Sequence, residues 1–262
     1  MMSPLPSARW LIAVALLGAS ARPAGADFVA RTCNVGPTGG AVLTLTDFDP
    51  RGGAQPCTGF EVKVGGKRAS RGRLGFRGSG VFLSTADGRT VIFVQSRPYI
   101  WDRGALAGTP GVVFFRDGKE VASHTIGELE PRPHAVMFST SHAHWLGGLS
   151  EGQGEPYALP EATWALQTTS FRRITFDTAT GRIVRAEDAP PWDQCDLIAR
   201  GSVERSGGGV LEFHPISVIK GELKGAVPLP DSAQMLEGSF DTVCLARAAD
   251  GVRFIRKLGR RR

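Results

Sequence analysis

The chain has 262 residues, of which 34 are glycine and 17 proline, with 42% hydrophobic and 21% charged side chains. That balance excludes a coiled coil, a collagen-like repeat and an acidic disordered chain, and suits a globular protein rich in tight turns. The formal net charge of +6 is carried mainly at the two ends, which speaks against a basic body facing nucleic acid.

At the N-terminus, Arg9 precedes the apolar run Trp10 to Ala19, and Ala24-Gly25-Ala26 then supplies a small-x-small cleavage pattern. This reads as a signal peptide over residues 1–26, with a mature chain starting at Asp27 and a secreted or periplasmic location. The apolar run is shorter than the ~20 residues a membrane span needs, so no transmembrane segment is expected in the mature chain. Removing Arg9 and Arg22 lowers the charge to about +4. The last ten residues hold Arg253, Arg256, Lys257, Arg260, Arg261 and Arg262, a basic tail that reads as a solvated end or as a contact for an anionic surface.

Short runs of Val, Ile, Phe and Thr between glycine-rich turns predict an all-β fold. In chain order the expected strands begin with Ala41–Phe48 and Phe60–Val64. A first hairpin joins Val81–Ser84 to Val91–Val94 through Ala86-Asp87-Gly88-Arg89. A second joins Val112–Phe115 to Glu120–Ala122 through Asp117-Gly118. Asp-Gly suits these turns because both residues tolerate positive φ. Further strands are expected at Ala135–Ser139 and Trp164–Thr169, and a third hairpin joins Arg173–Phe176 to Arg182–Val184. The last strands are Asp196–Glu204, Val210–Lys220, Phe240–Arg247 and Val252–Lys257. Helical periodicity is confined to Ile126–Leu129 and Glu161–Leu166, each tightly flanked by proline.

Ala186-Glu187-Asp188-Ala189-Pro190-Pro191-Trp192-Asp193 interrupts the strand pattern just before Cys195. This divides the mature chain into a module at 27–188 and a smaller one at 189–262. The four cysteines of the mature chain, Cys33, Cys57, Cys195 and Cys244, form an even set in an exported protein and read as two disulfides. Three pairings are possible. Cys33–Cys57 with Cys195–Cys244 is favoured because each bond then stays within one module, and no Cys-x-x-Cys pair points to zinc.

Two stretches carry family resemblances. Leu83-Ser84-Thr85-Ala86-Asp87-Gly88-Arg89-Thr90-Val91-Ile92-Phe93 and Phe176-Asp177-Thr178-Ala179-Thr180-Gly181-Arg182 resemble the Asp-Gly hairpins of β-propeller blades. The irregular spacing of the hairpins fits a blade-like β-sandwich or partial propeller better than a closed ring. Cys195-Asp196-Leu197-Ile198-Ala199-Arg200-Gly201-Ser202-Val203, followed by Pro215-Ile216-Ser217-Val218-Ile219-Lys220-Gly221, resembles the netrin-like, tissue-inhibitor-like OB-type domain. That resemblance implies a small binding barrel. The free N-terminal cysteine with which inhibitors of that family act has no counterpart, since Cys195 is internal.

Catalytic patterns are few. Ser141-His142-Ala143-His144-Trp145-Leu146-Gly147-Gly148 resembles the His-x-His-x-Asp-His motif of metallo-β-lactamase-like hydrolases but lacks its Asp-His pair. On a strand His142 and His144 would share one face and could share a metal. His124, His134, Glu151 and Glu155 are the candidates for a third ligand. Gly148-Leu149-Ser150-Glu151-Gly152 matches the Gly-x-Ser-x-Gly elbow, without the strand before it and the helix after it that the elbow needs. Trp101, Trp145, Trp164 and Trp192 could line an aromatic ligand groove, but read first as core or module-interface residues, Trp192 as the one between modules. The sequence thus points to an exported binding or envelope-associated protein without cofactor, its partner a protein or an envelope polymer. The rival reading is a metal-dependent hydrolase built on His142 and His144.

Overall fold

A computed structural model describes residues 33–35, 40–46, 57–96, 98, 103–138, 142–147, 159, 162–188, 192–233, 235–249 and 251–258. Strands dominate it. After the short β1 (Cys33–Val35), strands β2 (Val42–Thr46), β3 (Cys57–Val64) and β4 (Lys67–Gly78) form an antiparallel sheet in that order. Next, β5 (Gly80–Ser84), β6 (Thr90–Val94), β7 (Pro110–Arg116) and β8 (Lys119–Thr125) make a second sheet, with β1 added in parallel beside β5. The one-turn helix α1 (Ile126–Leu129) and the small strands β9 (Met137–Phe138) and β10 (Ala143–His144) lead to a third sheet. Its strands are β11 (Thr163–Gln167), β12 (Arg172–Asp177) and β13 (Ile183–Asp188).

Strands β5, β6 and β7 of the second sheet are covered on both faces, which explains why they read as unbroken apolar runs instead of alternating ones. Phe82, Val91, Phe93, Val113 and Phe115 pack on Leu43, Phe60, Val62 and Leu74 of the first sheet. From the opposite face, Leu83, Ile92, Val94, Val112 and Phe114 meet Ile126, Leu129, Trp145, Trp164, Leu166, Ile174 and Phe176. Each fully buried Phe, Ile or Val contributes about 1.5–3 kcal/mol. The result is a stack of three sheets.

The three expected hairpins form. Asp117 and Gly118 take φ of 52° and 81° in a two-residue turn. The other two turns use positive φ only at Gly88 and Gly181, while Asp87 and Asp177 act through their side chains, accepting from Arg89 N and Thr180 N. Helix α1 carries a capping box, Thr125 with Glu128. Three expectations need correction. Residues 163–167 are a strand and not a helical turn, because Trp164 and Leu166 alternate into the core. The strand expected at 135–139 starts only at Met137, since Pro133–Ala135 is a 3-10 turn. Finally, the twelve-residue β4 was not expected at all.

The C-terminal strands β14 (Leu197–Arg205), β15 (Leu211–Lys220), β16 (Val227–Pro228), β17 (Phe240–Ala248) and β18 (Gly251–Lys257) lie in the order β16-β15-β14-β17-β18, with β16 approaching β18. This is a nearly closed, five-stranded barrel-like sheet, filled by Leu197, Ala199, Val203, Phe213, Val243 and Leu245. Gly201 permits the curvature, for a Cβ there would lie 1.9 Å from the His214 carbonyl oxygen. Cys195 and Cys244 form a disulfide with their Cα atoms 5.4 Å apart. Closing a loop of that size contributes about 4 kcal/mol on the chain-entropy model. For the other expected bond, the backbones of Cys33 and Cys57 pair with Gly80 and Gly78, two positions apart. The side chains of Cys33 and Cys57 lie outside the described residues, as do residues 1–26.

Candidate functional site

The histidine pair sits at the edge of the core. Ala143 and Trp145 are fully buried, so alternation along β10 turns His142 and His144 together to the opposite side, where both are half-buried. The further ligands are placed elsewhere. His124 packs against Phe114 and Phe176, and its Nε2 donates to the Gly181 carbonyl at 2.7 Å. His134 places Nε2 3.3 Å from the Ile219 carbonyl oxygen, on the barrel. Among the described residues no three His, Cys, Asp or Glu side chains gather as a metal site. Glu151, Glu155 and the Gly148–Gly152 elbow lie outside the described residues, as do Trp101 and Arg260, Arg261 and Arg262 of the tail. The tail's Arg256 donates to Gln194 and Lys257 pairs with Asp241 at 2.6 Å.

A dense polar cluster among the described residues lies where the stacked sheets meet the barrel. Glu130 is only 2% exposed, yet both its oxygens are used: Oε1 accepts from the Arg132 amide and Oε2 from the Ser170 amide, each at 3.1 Å. Such pairing is what makes a buried carboxylate tolerable. Arg132 in turn donates through Nη1 to Ser170 Oγ at 3.1 Å and through Nη2 to both oxygens of Asp188 at 2.9 Å. Its guanidinium also lies 4.0 Å from the centre of the Trp192 ring, a cation–π contact. Lys220 of β15 donates to the carbonyls of Trp192 and Cys195 at 2.6 and 2.7 Å. Trp192 thus packs between the third sheet and the barrel, in the interface position its sequence context suggested.

A second cation completes the junction. Arg200 projects from the outer side of β14 and is 7% exposed. Its Nη1 donates to the Ala135 carbonyl and its Nε to Thr242 Oγ1, both at 3.2 Å. Burial holds this guanidinium below the ordinary arginine value, but it stays charged because arginine does not give up its proton in a protein. Nearby, Ser217 Oγ donates to the His134 carbonyl at 2.6 Å. The segment from Arg132 to Ala135 is therefore clamped along β15 and β14.

Sequence reasoning singled out neither Glu130, Arg132 nor Arg200. The one local signal was Arg200 itself, a cation inside the apolar run Leu197-Ile198-Ala199-Arg200-Gly201-Ser202-Val203. Comparison with protein-family models and with curated proteins found no match to this chain.

Proposed function

We propose that the protein acts outside the cytoplasm as a non-catalytic binding protein, associated with the envelope, which presents rigid β surfaces to a partner. One observation carries this reading: polar side chains at the junctions between elements are spent on holding those elements together. Glu130, Arg132, Arg200, His124 and His134 each bond to another element, mostly to its backbone. Groups fixed in that way serve rigidity, and a rigid frame lowers the ordering cost of binding. The Cys195–Cys244 disulfide is compatible with an oxidising compartment. So is the finding that no helix among the described residues is long and apolar enough to cross a membrane.

The test is co-sedimentation of the purified mature chain with envelope material, followed by recovery of the bound polymer at its original length. Retention without cleavage supports the reading. Cleavage of the polymer, or a stoichiometric transition metal in the pure protein, would overturn it in favour of the hydrolase. That alternative draws on the shared side of His142 and His144 on β10.

A further inference from the structure

The outer face of the β2-β3-β4 sheet has a charge pattern that the tail-weighted reading of the sequence did not reveal. Leu43, Leu45, Phe60, Val62, Leu74 and Phe76 turn inward onto the second sheet. The opposite face is set out by the register in three cross-strand rows. Val42, Lys63 and Arg68 form the first, Thr44, Glu61 and Arg71 the second, and Thr46, Gly59 and Arg73 the third. A register shift between Val62 and Lys63 takes Ala69 out of the pattern and brings Arg68 into line with Arg71 and Arg73.

Val42, Thr44, Lys63, Arg68, Arg71 and Arg73 are all exposed. The acid among the described residues of this face is Glu61, which pairs with Lys63 at 3.3 Å. Among the described residues neither Arg68 nor Arg71 has a carboxylate partner. The face is therefore positive on a chain whose body, outside this face and the basic tail, carries more acidic than basic residues. Charged edge strands are common as a defence against aggregation, but Lys63 stands on the central strand, where that defence is not needed.

We propose that this face is the docking surface for a linear acidic polysaccharide. The proposal rests on the binding-protein reading above and names the class of its partner. Three features favour a glycan. The arginines form a column about 13 Å long, four strand steps once the bulged Ala69 is discounted, which matches an extended chain better than a single small anion. Planar guanidinium forks meet carboxylate or sulfate groups in two-point contacts. The neighbouring Thr44 and Thr46 hydroxyls suit sugar hydroxyls. A lipid surface would call for a larger apolar anchor than Val42, and a nucleic acid for aromatic platforms; the described residues of this face include neither.

The experiment titrates the mature chain, with its disulfide intact, against polygalacturonate, neutral dextran, phosphatidylglycerol vesicles and an oligo-dT strand over a range of salt. The expected result is polygalacturonate binding that weakens with salt and falls at least tenfold in Arg68→Glu/Arg71→Glu. Lys63→Glu should give a smaller loss, and Arg253→Glu, on β18, should give none. Circular dichroism confirms that each variant is folded, and Lys63→Glu stands as an independent reversal should the double variant fail to fold. Absence of binding above dextran overturns the proposal. So does an equal loss in Arg253→Glu, or tighter binding of vesicles or oligo-dT. Shortening of the bound polygalacturonate would instead overturn the non-catalytic reading and leave the surface assignment standing.

Discussion

Both carboxylate oxygens of Asp188 accept from Nη2 of Arg132 at 2.9 Å, which ties the end of β13 to the segment that follows α1. The pair is only partly exposed, at 24% and 32% of the side-chain surface, and Arg132 also holds Ser170 and Trp192. Arg132→Ala should lower stability by about 2–3 kcal/mol, since charge-assisted hydrogen bonds and a cation–π contact are lost together. Asp188→Asn should cost about 1 kcal/mol. Urea denaturation of both variants and of the double variant should give a coupling energy near ~1 kcal/mol. A coupling close to zero would show that the clamp does not hold the junction.

A second fixed point is the turn before β13. Gly181 has a φ of 70°, and a Cβ there would lie 2.6 Å from Ala122 Cβ and 2.7 Å from Phe114 Cγ. Its carbonyl also accepts from His124. Gly181→Ala should therefore destabilise the stacked sheets by about 2–4 kcal/mol, from left-handed backbone strain and overpacking combined. Thermal melting measures it, and a loss below ~1 kcal/mol would mean the turn relaxes away from the second sheet.

These two sites show what the sequence could and could not reveal. Asp117-Gly118 was legible because turn chemistry is local: two adjacent residues specify it. The Cys195–Cys244 bond was legible because few pairings were possible. Strand β4 was hidden, since Lys67-Arg68-Ala69-Ser70-Arg71-Gly72-Arg73 has no β-branched residue and is held in place by pairing with β3 and packing under Phe60. Tertiary context there overrides propensity. The Arg132–Asp188 and Arg200–Ala135 contacts join residues 56 and 65 positions apart, a distance over which no periodicity or motif carries information.

Acid should loosen the hairpin tips. Asp117 is held below the ordinary aspartate value of 3.8 by hydrogen bonds from Arg89, at 2.8 and 3.0 Å, and by that cation's charge. The Thr180 hydroxyl and amide do the same for Asp177. At Asp87 burial works upward, but the Thr85 hydroxyl, the Arg89 amide and the charges of Arg116 and Arg89 outweigh it, and the net shift is downward. A carboxylate with a depressed folded pKa contributes stability that is present above its unfolded value and lost as pH falls through the folded one. Stability should thus decline below about pH 4, and Asp117→Asn should flatten that decline. Carbon-13 titration of the carboxyl groups is the check; midpoints at or above 3.8 would contradict the assignment.

The histidine pair decides between the two functional classes. His142 and His144 share one side of β10, half-buried beside the fully buried Ala143 and Trp145. Two imidazoles at that spacing can bind a metal only weakly without further ligands and without groups that orient their rings. The two histidines among the candidate further ligands are already engaged, His124 with Gly181 and His134 with Ile219. The pure mature chain should accordingly contain less than stoichiometric zinc, manganese or iron by mass spectrometry of the elements. His142→Ala/His144→Ala should leave that content and polymer binding unchanged, with a stability loss of about 1 kcal/mol, the common size for substitution of part-buried residues. The opposite set of results would be one metal per wild-type chain, its loss in the double variant, and a hydrolytic activity that disappears with it. That outcome would move the protein into the hydrolase class and make Glu151 and Glu155 the next residues to replace.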